Sequence, residues 1–444
     1  MLLDFINLKN GEGAVYLRLY GQITAAVKSG IIKQGEKLPS IREAAAQLNL
    51  SRTTVENAYL KLCIEGTAES LPQRGYYIRG IKRFSVSDTS DIKEKTAKYD
   101  FSGRNIDVGA ADTEIWKKTV REILRNTKEL TSYGEAQGET ALRAALADYT
   151  YKARGVLAKA ENIVIGAGVG PLLNILCGIM GRGRAVAMEN GDFKQASSIF
   201  SDYGIKTLAL KSDKNGAVLE ELEKSGADVL FLQPSALSKI SVTGLAARRN
   251  GFINWAEAGS KRLIIEDDYN GELRYTARSI TAFQAVYPEK TVYIGSFSKL
   301  LLPSVRIAYM ALPGGLAEKF RRSGGVYNQT CGKIEQLALE NYISSGSLEK
   351  HLRRLRKLNG VKSKLFYETA GRLFPKADIT LFEPSLTAML DLGIKTESSL
   401  LCAAAEKNGI KIIPSKRAGA VYLCLAGIAE NDIPPALEAL KMVL

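Results

Sequence analysis

The sequence contains a single histidine, His351, and five widely spaced cysteines without a Cys-x-x-Cys pair. One histidine excludes a histidine-rich zinc site and disfavours a serine–histidine catalytic triad. Scattered cysteines are typical of reduced thiols in a cytoplasm, where each serves as a small buried apolar residue. No apolar run is long enough to cross a bilayer, and Asp4 with no preceding basic region argues against an export signal. We therefore expect a cytoplasmic protein that does not associate with membranes.

Acidic residues are few relative to basic ones. The chain has 61 Lys and Arg against 47 Asp and Glu, which gives a formal net charge of +14. Such an excess fits either a diffusely charged surface or a polyanionic partner such as nucleic acid. The length of 444 residues predicts two or three domains.

The segment 291–306, TVYIGSFSKLLLPSVR, is the most informative stretch. Its apolar residues predict a buried strand that delivers Lys299 near its carboxyl end. Desolvation favours the free amine of a lysine, which is the form that condenses with an aldehyde to give a Schiff base. Ser296, Ser298 and Arg306 add donors spaced to bind one phosphate, and an aldehyde that carries a phosphate indicates pyridoxal 5'-phosphate. The alternative is an ordinary surface lysine that follows a strand.

The segment 262–272, RLIIEDDYNGE, supplies an acidic partner. Its apolar run predicts a second buried strand with Glu266, Asp267, Asp268 and Tyr269 at the carboxyl end, where open α/β sheets bind ligands. A pyridoxal ring needs a carboxylate that keeps its nitrogen protonated, and a nearby phenol can hydrogen-bond the ring hydroxyl. For Glu266 and Asp268, a loop that faces solvent is a reasonable alternative.

The strings YIGSFSKLLLPSVRIAYMALP and IIEDDYNGELRY resemble the aminotransferase-like domain of the MocR-type regulators. These regulators form a branch of the GntR family, and their effector domain has the fold type I aminotransferase architecture. The resemblance implies that Lys299 carries the internal aldimine, that Asp267 pairs with the pyridine nitrogen and that Tyr269 contacts the ring hydroxyl. It also implies that hydroxyl and guanidinium side chains bind the phosphate: Ser296, Ser298 and Arg306.

Apolar residues recur at helical spacing three times near the start of the chain. They predict helices over 16–27, 41–48 and 55–62. Ser40 and Ser51 are natural N-caps for the second and third helices. The short connection between these two helices has helix-turn-helix spacing.

Residues 67–71 and 75–79 predict two strands joined as a small β-wing. The string GEKLPSIREAAAQLNLSRTTVENAYLKLCIEG resembles the GntR winged helix, although a helical oligomerisation domain is an alternative. The N-terminus of the third helix would present donors to phosphates and base edges in a major groove, with the wing beside it. The candidate contacts to double-stranded operator DNA are Ser40, Arg42, Ser51, Arg52, Thr53, Thr54, Arg74 and Gly75.

The rest of the chain predicts a multidomain protein. Residues 81–99 are polar without sustained periodicity, which indicates a linker between an α+β winged helix-turn-helix domain at 10–80 and an effector domain at 100–444. Alternating strands and helices predict a doubly wound, mostly parallel α/β sheet in that effector domain. Shorter strands after Gly332 predict a smaller C-terminal α+β subdomain at about 332–444.

The string ENIVIGAGVGPLLNIL predicts a strand, a glycine-rich turn and a helix. Alone, it would indicate a dinucleotide-binding Rossmann unit with Glu189 as the ribose-binding acid. However, Pro171 replaces the last glycine of that motif. Free amides at a helix N-terminus bind any phosphate, so Ala167, Gly168 and Val169 are candidates to bind pyridoxal phosphate instead.

Two further positions have roles implied by the resemblance. ENGDF matches the place where the family stacks an aromatic side chain on the ring, which implicates Phe193, although Gly191 replaces the usual proline. YGEAQGETALR is similar to strings whose tyrosine approaches the cofactor phosphate of the partner subunit, which implicates Tyr133 and a homodimer. The segment QPSALSKISVTG departs from the shorter loop of the family, and we therefore assign no site residue within it.

One departure near the C-terminus bears on activity. In aminotransferases and many of these regulators an arginine binds the substrate carboxylate, but Tyr422 stands at that place here and Arg417 is out of register. Loss of this contact weakens the orientation of ordinary α-amino acids. The sequence thus favours a DNA-binding regulator, with little or no transaminase activity, that senses an amino compound or pyridoxal phosphate itself through Lys299. The alternative is an active aminotransferase fused to a DNA-binding domain.

Overall fold

The computed structural model describes residues 3–8, 13–79, 97–189, 193–213, 216–234, 242–276, 281–323 and 325–444. The chain divides into two compact units, residues 1–94 and 95–444. Most of the predicted linker, Gly191 and the middle of QPSALSKISVTG lie outside the described residues. The exact domain limits inferred from the sequence stay predictions.

The first unit combines a helical core with a two-stranded hairpin. Its elements are α1 (Val15–Ser29), α2 (Ile41–Leu48), α3 (Arg52–Ile64), β1 (Ala68–Leu71) and β2 (Gly75–Ile78). Ser40 caps α2 in a capping box with Glu43, and Ser51 caps α3 by accepting the amide of Thr54. Both predicted N-caps are therefore confirmed, and the cap at Ser51 makes Arg52 the first residue of α3.

A small apolar core holds these elements together. Leu19 and Ile23 of α1 and Val55 of α3 are fully buried. Tyr59 of α3 packs edge-on against Tyr76 of the hairpin, with ring centroids 5.0 Å apart. Full burial of such side chains contributes roughly 1.5–3 kcal/mol each, so this core fixes the position of α3 and the wing within the unit.

The second unit contains the remaining described helices and strands. Its helices are α4 (Thr113–Leu124), α5 (Thr127–Leu130), α6 (Thr140–Arg154), α7 (Val169–Met180), α8 (Lys194–Asp202), α9 (Leu219–Lys224), α10 (Val242–Glu257), α11 (Gly314–Arg322), α12 (Lys333–Ser344), α13 (Ser347–Leu373), α14 (Ser398–Lys407) and α15 (Ile433–Lys441). Its strands are β3 (Tyr99–Asp100), β4 (Ile163–Gly166), β5 (Ala185–Glu189), β6 (Lys206–Leu210), β7 (Ser212–Asp213), β8 (Gly216–Ala217), β9 (Val229–Leu232), β10 (Leu263–Asp267), β11 (Thr291–Ser296), β12 (Ala308–Ala311), β13 (Asp378–Phe382), β14 (Thr387–Asp391), β15 (Ile410–Lys411), β16 (Ile413–Pro414) and β17 (Ala420–Cys424).

Seven of these strands form one mixed sheet in the order β4-β12-β11-β10-β9-β5-β6. The pairs from β11 to β6 are parallel, whereas β12 runs antiparallel to both of its neighbours. Strands β4, β9, β10, β11 and β12 are buried along their whole length, as expected for strands covered on both faces. The predicted mostly parallel α/β sheet is confirmed.

The sheet order excludes the Rossmann interpretation of the glycine-rich turn. A dinucleotide-binding unit pairs the strand before the turn directly with the strand after the helix. Here β4 lies at the sheet edge, and β12, β11, β10 and β9 separate it from β5. The turn after β4 is therefore not part of a dinucleotide-binding unit.

The C-terminal region forms a smaller subdomain. Four strands pair antiparallel in the order β13-β14-β17-β16, and they share an apolar core with α13, α14 and α15. Sequence patterning missed β13. Ile410 pairs with Tyr99, so the last residue of the predicted linker lies in a strand of the second unit.

None of the helices within the described ranges has the length and hydropathy that a bilayer crossing requires. Across those same ranges, no group of three or more histidine, cysteine, aspartate or glutamate side chains has a geometry that suits a metal ion. None of the five cysteines forms a disulfide, and Cys177, Cys331 and Cys424 are buried.

Candidate cofactor site and nucleic-acid interface

Strand register brings three distant segments to one edge of the large sheet. Ser296 pairs with Ala308, and Ala308 pairs with Gly166 on the next strand. Because β12 runs antiparallel to both neighbours, its first residue lies beside the last residues of β11 and β4. The backbone that continues from these ends carries Ser298, Arg306 and the start of α7.

Hydrogen-bond donors converge at this edge. Arg306 Nη1 donates to Ser298 Oγ at 3.4 Å, and the Ser298 amide donates to Ser296 Oγ at 3.3 Å. An ideal Cβ at Gly168 would lie 2.5 Å from Arg306 Nη2. Arg306 itself has a φ of +53°, a backbone strain of the kind found at functional sites. A guanidinium, two hydroxyls and a helix N-terminus together suit one phosphate.

The backbone amides at the start of α7 differ in whether they already donate a hydrogen bond within the chain. The Ala167 amide donates to Thr330 Oγ1 at 3.0 Å, and the Gly168 amide donates to a carbonyl two residues earlier at 2.8 Å. Both amides therefore have partners within the chain, and their binding to the phosphate stays a prediction; Gly168 lines the site with its backbone. Val169 and Gly170 provide the first helical N–H groups beside it, and sequence reasoning missed Gly170.

Asp267 ends β10 and is only 1% exposed. Its Oδ2 accepts a hydrogen bond from Gln233 Nε2 at 2.6 Å, whereas its Oδ1 is buried with no hydrogen-bond partner among the described residues. Burial raises the pKa of this carboxyl to about 7, although the bond from Gln233 opposes the rise. A buried carboxylate in this state needs a cationic hydrogen-bond donor, and a protonated ring nitrogen is such a donor.

Gln233 lines the site, although we assigned no site residue to its segment from the sequence. It directly follows β9, which pairs in parallel with β10, so its side chain reaches Asp267 at the same edge of the sheet. The signal in the sequence was a polar residue immediately after a buried strand. Comparison with a shorter family loop hid that signal.

Lys299 lies three residues beyond β11 and is half-buried. Its Nζ donates a hydrogen bond to the carbonyl of Gly103. Because Asp267 pairs with Ile294, the two strands that lead to Asp267 and Lys299 are adjacent and parallel. Tyr269 lies two residues beyond β10, and burial raises the pKa of its phenol, which keeps the hydroxyl protonated as a donor.

The neighbours of Asp267 do not face solvent. Glu266 and Asp268 are 1% and 0% exposed, so the alternative of an acidic solvent-facing loop is wrong for both. Arg154 of α6 pairs with Asp268 at 2.6 Å, and the amides of Phe283 and Gln284 donate to Glu266 at 2.9 and 3.1 Å. Partners from other elements stabilise these buried carboxylates, and no local pattern reveals them.

Asp267, Lys299 and Arg306 line one cleft of about 1030 Å³. Phe193 forms part of its wall and packs against Phe231, with ring centroids 6.2 Å apart. Tyr133 does not line the cleft, and its side chain is fully exposed. Ala167 is not among the lining residues either, whereas the remaining predicted cofactor residues line the cleft: Gly168, Val169, Phe193, Asp267, Tyr269, Ser296, Ser298, Lys299 and Arg306.

The C-terminal subdomain forms the opposite wall. Tyr422 of β17 lines the cleft where an arginine was expected. Arg417 lines it as well, but its Nη1 lies 2.7 Å from Oδ2 of the buried Asp391. The carboxylate of Asp391 therefore offsets the charge of Arg417.

The first unit exposes the start of α3. Ser51, Arg52 and Thr53 are exposed and Thr54 is half-buried, with the hydroxyls of Ser51 and Thr54 2.8 Å apart. The end of a helix with free donors and an exposed arginine suits a phosphate or a base edge.

The remaining predicted DNA contacts are also accessible. Ser40, Arg42 and Arg74 are exposed. Gly75 has a φ of +99°, and an ideal Cβ there would lie 3.2 Å from Cε of Lys37. Lys37 was not predicted, yet its exposed side chain lies beside the wing.

The two units define a winged-helix regulator joined to an aminotransferase-like domain. Residues 15–78 match the bacterial regulatory proteins of the gntR family, and residues 99–231 match the aminotransferases of class I and II. The chain belongs to the MocR-type branch of the GntR family.

Relatives of full length support this assignment. The chain is 32% identical to the HTH-type transcriptional regulator YdeL of Bacillus subtilis over 96% of both proteins. It is 28% identical to the HTH-type pyridoxine biosynthesis transcriptional regulator PdxR of Corynebacterium glutamicum, over 84% of this chain and 82% of that protein. It is 25% identical to the probable rhizopine catabolism regulatory protein MocR of Rhizobium meliloti, over 92% and 88%.

Solved structures show the fold of the second unit. An archaeal alanine:glyoxylate aminotransferase superposes with a TM-score of 0.69 at 21% identity, over 79% of this chain and 91% of that one. LysN, the α-aminoadipate aminotransferase of Thermus thermophilus, was solved with N-(5'-phosphopyridoxyl)-L-leucine and superposes with a TM-score of 0.68 at 21% identity, over 79% and 92%. The predicted fold type I architecture is confirmed.

Proposed function

We propose that this protein is a pyridoxal phosphate-dependent transcriptional regulator. It binds operator DNA through its winged helix and senses an amino compound, or pyridoxal phosphate itself, through Lys299. The convergence of Lys299, Asp267 and the donors around Arg306 in one cleft carries the proposal. The winged helix in the same chain and the regulators among its relatives support regulation as the output.

The residues of the cleft fit pyridoxal phosphate. When bound, it supplies an aldehyde that reacts with a primary amine and a protonated ring that withdraws electrons. Asp267 holds the proton of the ring nitrogen, because its unpartnered Oδ1 accepts that hydrogen bond. Tyr269 donates to the ring hydroxyl and Phe193 packs on the ring. The phosphate is held by Gly168, Val169, Ser296, Ser298 and Arg306.

On the DNA side, exposed donors make the contacts. Arg52 reads a base edge because it is the first residue of α3, and Arg74 on the wing contacts the backbone or the minor groove. The backbone and hydroxyl contacts around them come from Ser40, Arg42, Ser51, Thr53, Thr54 and Gly75.

Tyr133 supports a homodimer. Its fully exposed side chain does not line the cleft of its own chain. In a homodimer it would approach the phosphate in the partner's cleft, and two winged helices would meet two operator half-sites. Sedimentation analysis tests this assembly: a dimer supports it, and a monomer at concentrations that bind operator contradicts it.

An active aminotransferase is the second candidate, and the fold of the second unit favours it. Two observations weigh against efficient turnover. Tyr422 replaces the expected arginine, and Arg417 is paired with Asp391 at 2.7 Å. Without a free guanidinium, the carboxylate of an α-amino acid lacks its bidentate partner.

Absorbance spectroscopy tests the proposed function. Pyridoxal phosphate should produce a near-visible band on the full-length protein, and an amine effector should shift that band. Lys299→Ala is the control and should show only the spectrum of the free cofactor. The same samples should then be assayed for operator binding, and an operator affinity that never changes with the cleft ligands would contradict a sensor.

A further inference from the structure

The wall that the C-terminal subdomain gives to the cleft carries a row of three side chains. Tyr422 of β17 pairs with Met389 of β14 on one side and with Ile413 of β16 on the other. Residues directly opposite each other on antiparallel strands have their side chains on the same face of the sheet. All three line the cleft, and we name Ile413, Tyr422 and Met389 the apolar row.

Packing holds Tyr422 in this row. Its ring packs against the buried Phe382, with ring centroids 6.3 Å apart, and Met389 belongs to the same apolar cluster. The neighbours of Tyr422 in β17, Val421 and Leu423, are buried in the core of the subdomain. Because side chains alternate along a strand, Tyr422 lies on the opposite face, which is the face that lines the cleft.

The cations beside the apolar row already take part in interactions. Arg417 Nη1 lies 2.7 Å from Asp391 Oδ2. Asp391 is buried, so separation of this pair would leave a buried carboxylate without its cation. Lys416 is exposed and takes part in an interaction of its own. A carboxylate that entered the cleft would therefore have to displace an existing interaction at either cation.

The charges of this part of the cleft do not attract an anion. Among the described residues that line it, the charged side chains outside the proposed cofactor contacts are the acids Glu189 and Asp213 and the bases Lys416 and Arg417. Their formal charges cancel. An effector carboxylate therefore meets no net positive charge, whereas an apolar substituent can bury its surface against the apolar row.

We propose that the effector is a primary amine with an apolar substituent and no carboxylate, an inference that rests on the proposed function. The effector nitrogen replaces Lys299 Nζ on the aldehyde carbon of pyridoxal phosphate. Its two hydrogens pass to Lys299, so the exchange requires no further reactant. The substituent packs on the apolar row, which makes Tyr422 a specificity-determining residue.

Matched pairs of amines test this inference. 2-Phenylethylamine and pentylamine are phenylalanine and norleucine without their carboxylates. Each should shift the absorbance band of the loaded full-length protein at a concentration about tenfold or more below that of its L-amino acid, because an unpaired carboxylate is costly to desolvate. The same reaction with free pyridoxal phosphate corrects for the intrinsic reactivity of each amine.

Two further measurements separate the roles of the substituent and of the carboxylate. 3-Methoxypropylamine, which differs from pentylamine by one ether oxygen in place of a methylene, should bind about tenfold more weakly than pentylamine. Operator affinity provides a readout other than absorbance. At equal concentration, 2-phenylethylamine should change the operator affinity of the loaded protein more than L-phenylalanine does.

Variants of Tyr422 sharpen the test. Tyr422→Arg places a guanidinium in the row and should shift the preference toward L-phenylalanine by about tenfold or more. Tyr422→Phe is the matched control and should keep the wild-type preference, because it retains the ring and removes only the hydroxyl. The matched pairs need only wild-type protein, so the test stands even if Tyr422→Arg fails to fold.

The outcomes separate the two proposals. A near-visible band that L-phenylalanine shifts at the same or a lower concentration than 2-phenylethylamine would overturn the inference and leave the proposed function standing. An unchanged preference in folded Tyr422→Arg would also overturn it. If pyridoxal phosphate gives no band on the wild type, the proposed function fails and the effector class fails with it.

Discussion

Gly168 and Arg306 lie so close together that position 168 has no room for a side chain. An ideal Cβ at Gly168 would be 2.5 Å from Arg306 Nη2, and the φ of Gly168 is +99°. The two residues belong to different strand ends that the antiparallel β12 brings together. Their proximity forms, from segments that are distant in sequence, the corner of the cleft that we propose binds the phosphate.

Gly168→Ala should weaken pyridoxal phosphate binding by tenfold or more, because the new methyl group displaces the guanidinium. Gly181→Ala is a matched control at the other end of α7. It has a similar backbone, with φ of +85°, but nothing lies within 4 Å of its Cβ position. Both variants should lose roughly 1–3 kcal/mol of stability, because both glycines have a backbone conformation that other residues rarely adopt. Absorbance titration should show weakened binding only for Gly168→Ala, and equal affinities would contradict this role for the corner.

Asp267→Asn should change how stability depends on pH. Burial raises the pKa of Asp267 from 3.8 to about 7, so between these values the folded state retains a proton that the unfolded state has lost. Rising pH therefore destabilises the ligand-free wild type through Asp267. The stability that the protonated carboxyl contributes is fully lost above about pH 7. The difference in unfolding free energy between the wild type and the variant should change by about 3 kcal/mol between about pH 5 and about pH 8.

Urea titrations at several pH values measure this difference. A constant difference across the window would contradict the buried, unpaired carboxyl. Bound pyridoxal phosphate should remove most of the pH dependence, because its ring nitrogen supplies the missing positive partner. Operator affinity of the ligand-free variant should stay close to that of the wild type, and a large loss would contradict separate sites.

The sequence predicted those residues of the cleft that follow a strand within a few positions. Lys299, Asp267 and Tyr269 all lie within three residues of a strand end, which a buried apolar run reveals. The sequence did not reveal hydrogen-bond and ion-pair partners that come from elsewhere in the chain. The burial of Asp268 depends on Arg154, and the occupied amide of Ala167 depends on Thr330. Such contacts follow from the packing of α6 and of the segment before α12, which local patterns do not encode.

Arg52→Ala should cost ~1–3 kcal/mol of operator affinity and relax specificity at one base pair, as expected for loss of a base contact. Arg74→Ala should weaken all sequences alike and reduce the dependence of affinity on salt. Lys61→Ala serves as the control, because this cation lies at the far end of α3 and pairs with Glu65 at 2.8 Å. Unchanged affinity and specificity in both arginine variants would remove DNA binding from the account and favour the aminotransferase alternative.

Transamination of ordinary α-amino acids should be slow. Misplacement of a reactant by about 1 Å can cost about 100-fold in rate, and Tyr422 offers no guanidinium to orient the carboxylate. Single-turnover loss of the aldehyde absorbance, measured with a panel of α-amino acids, tests this expectation. Turnover at about 1 per second or faster, within the usual range for enzymes, would contradict it.

Covalent attachment of pyridoxal phosphate to Lys299 is the central claim. The most direct measurement is borohydride reduction of the loaded full-length protein, followed by peptide mass mapping. We predict one fixed cofactor per chain on the peptide that contains Lys299, and none on folded Lys299→Ala. A fixed cofactor on another lysine, or equal labelling of Lys299→Ala, would contradict the account.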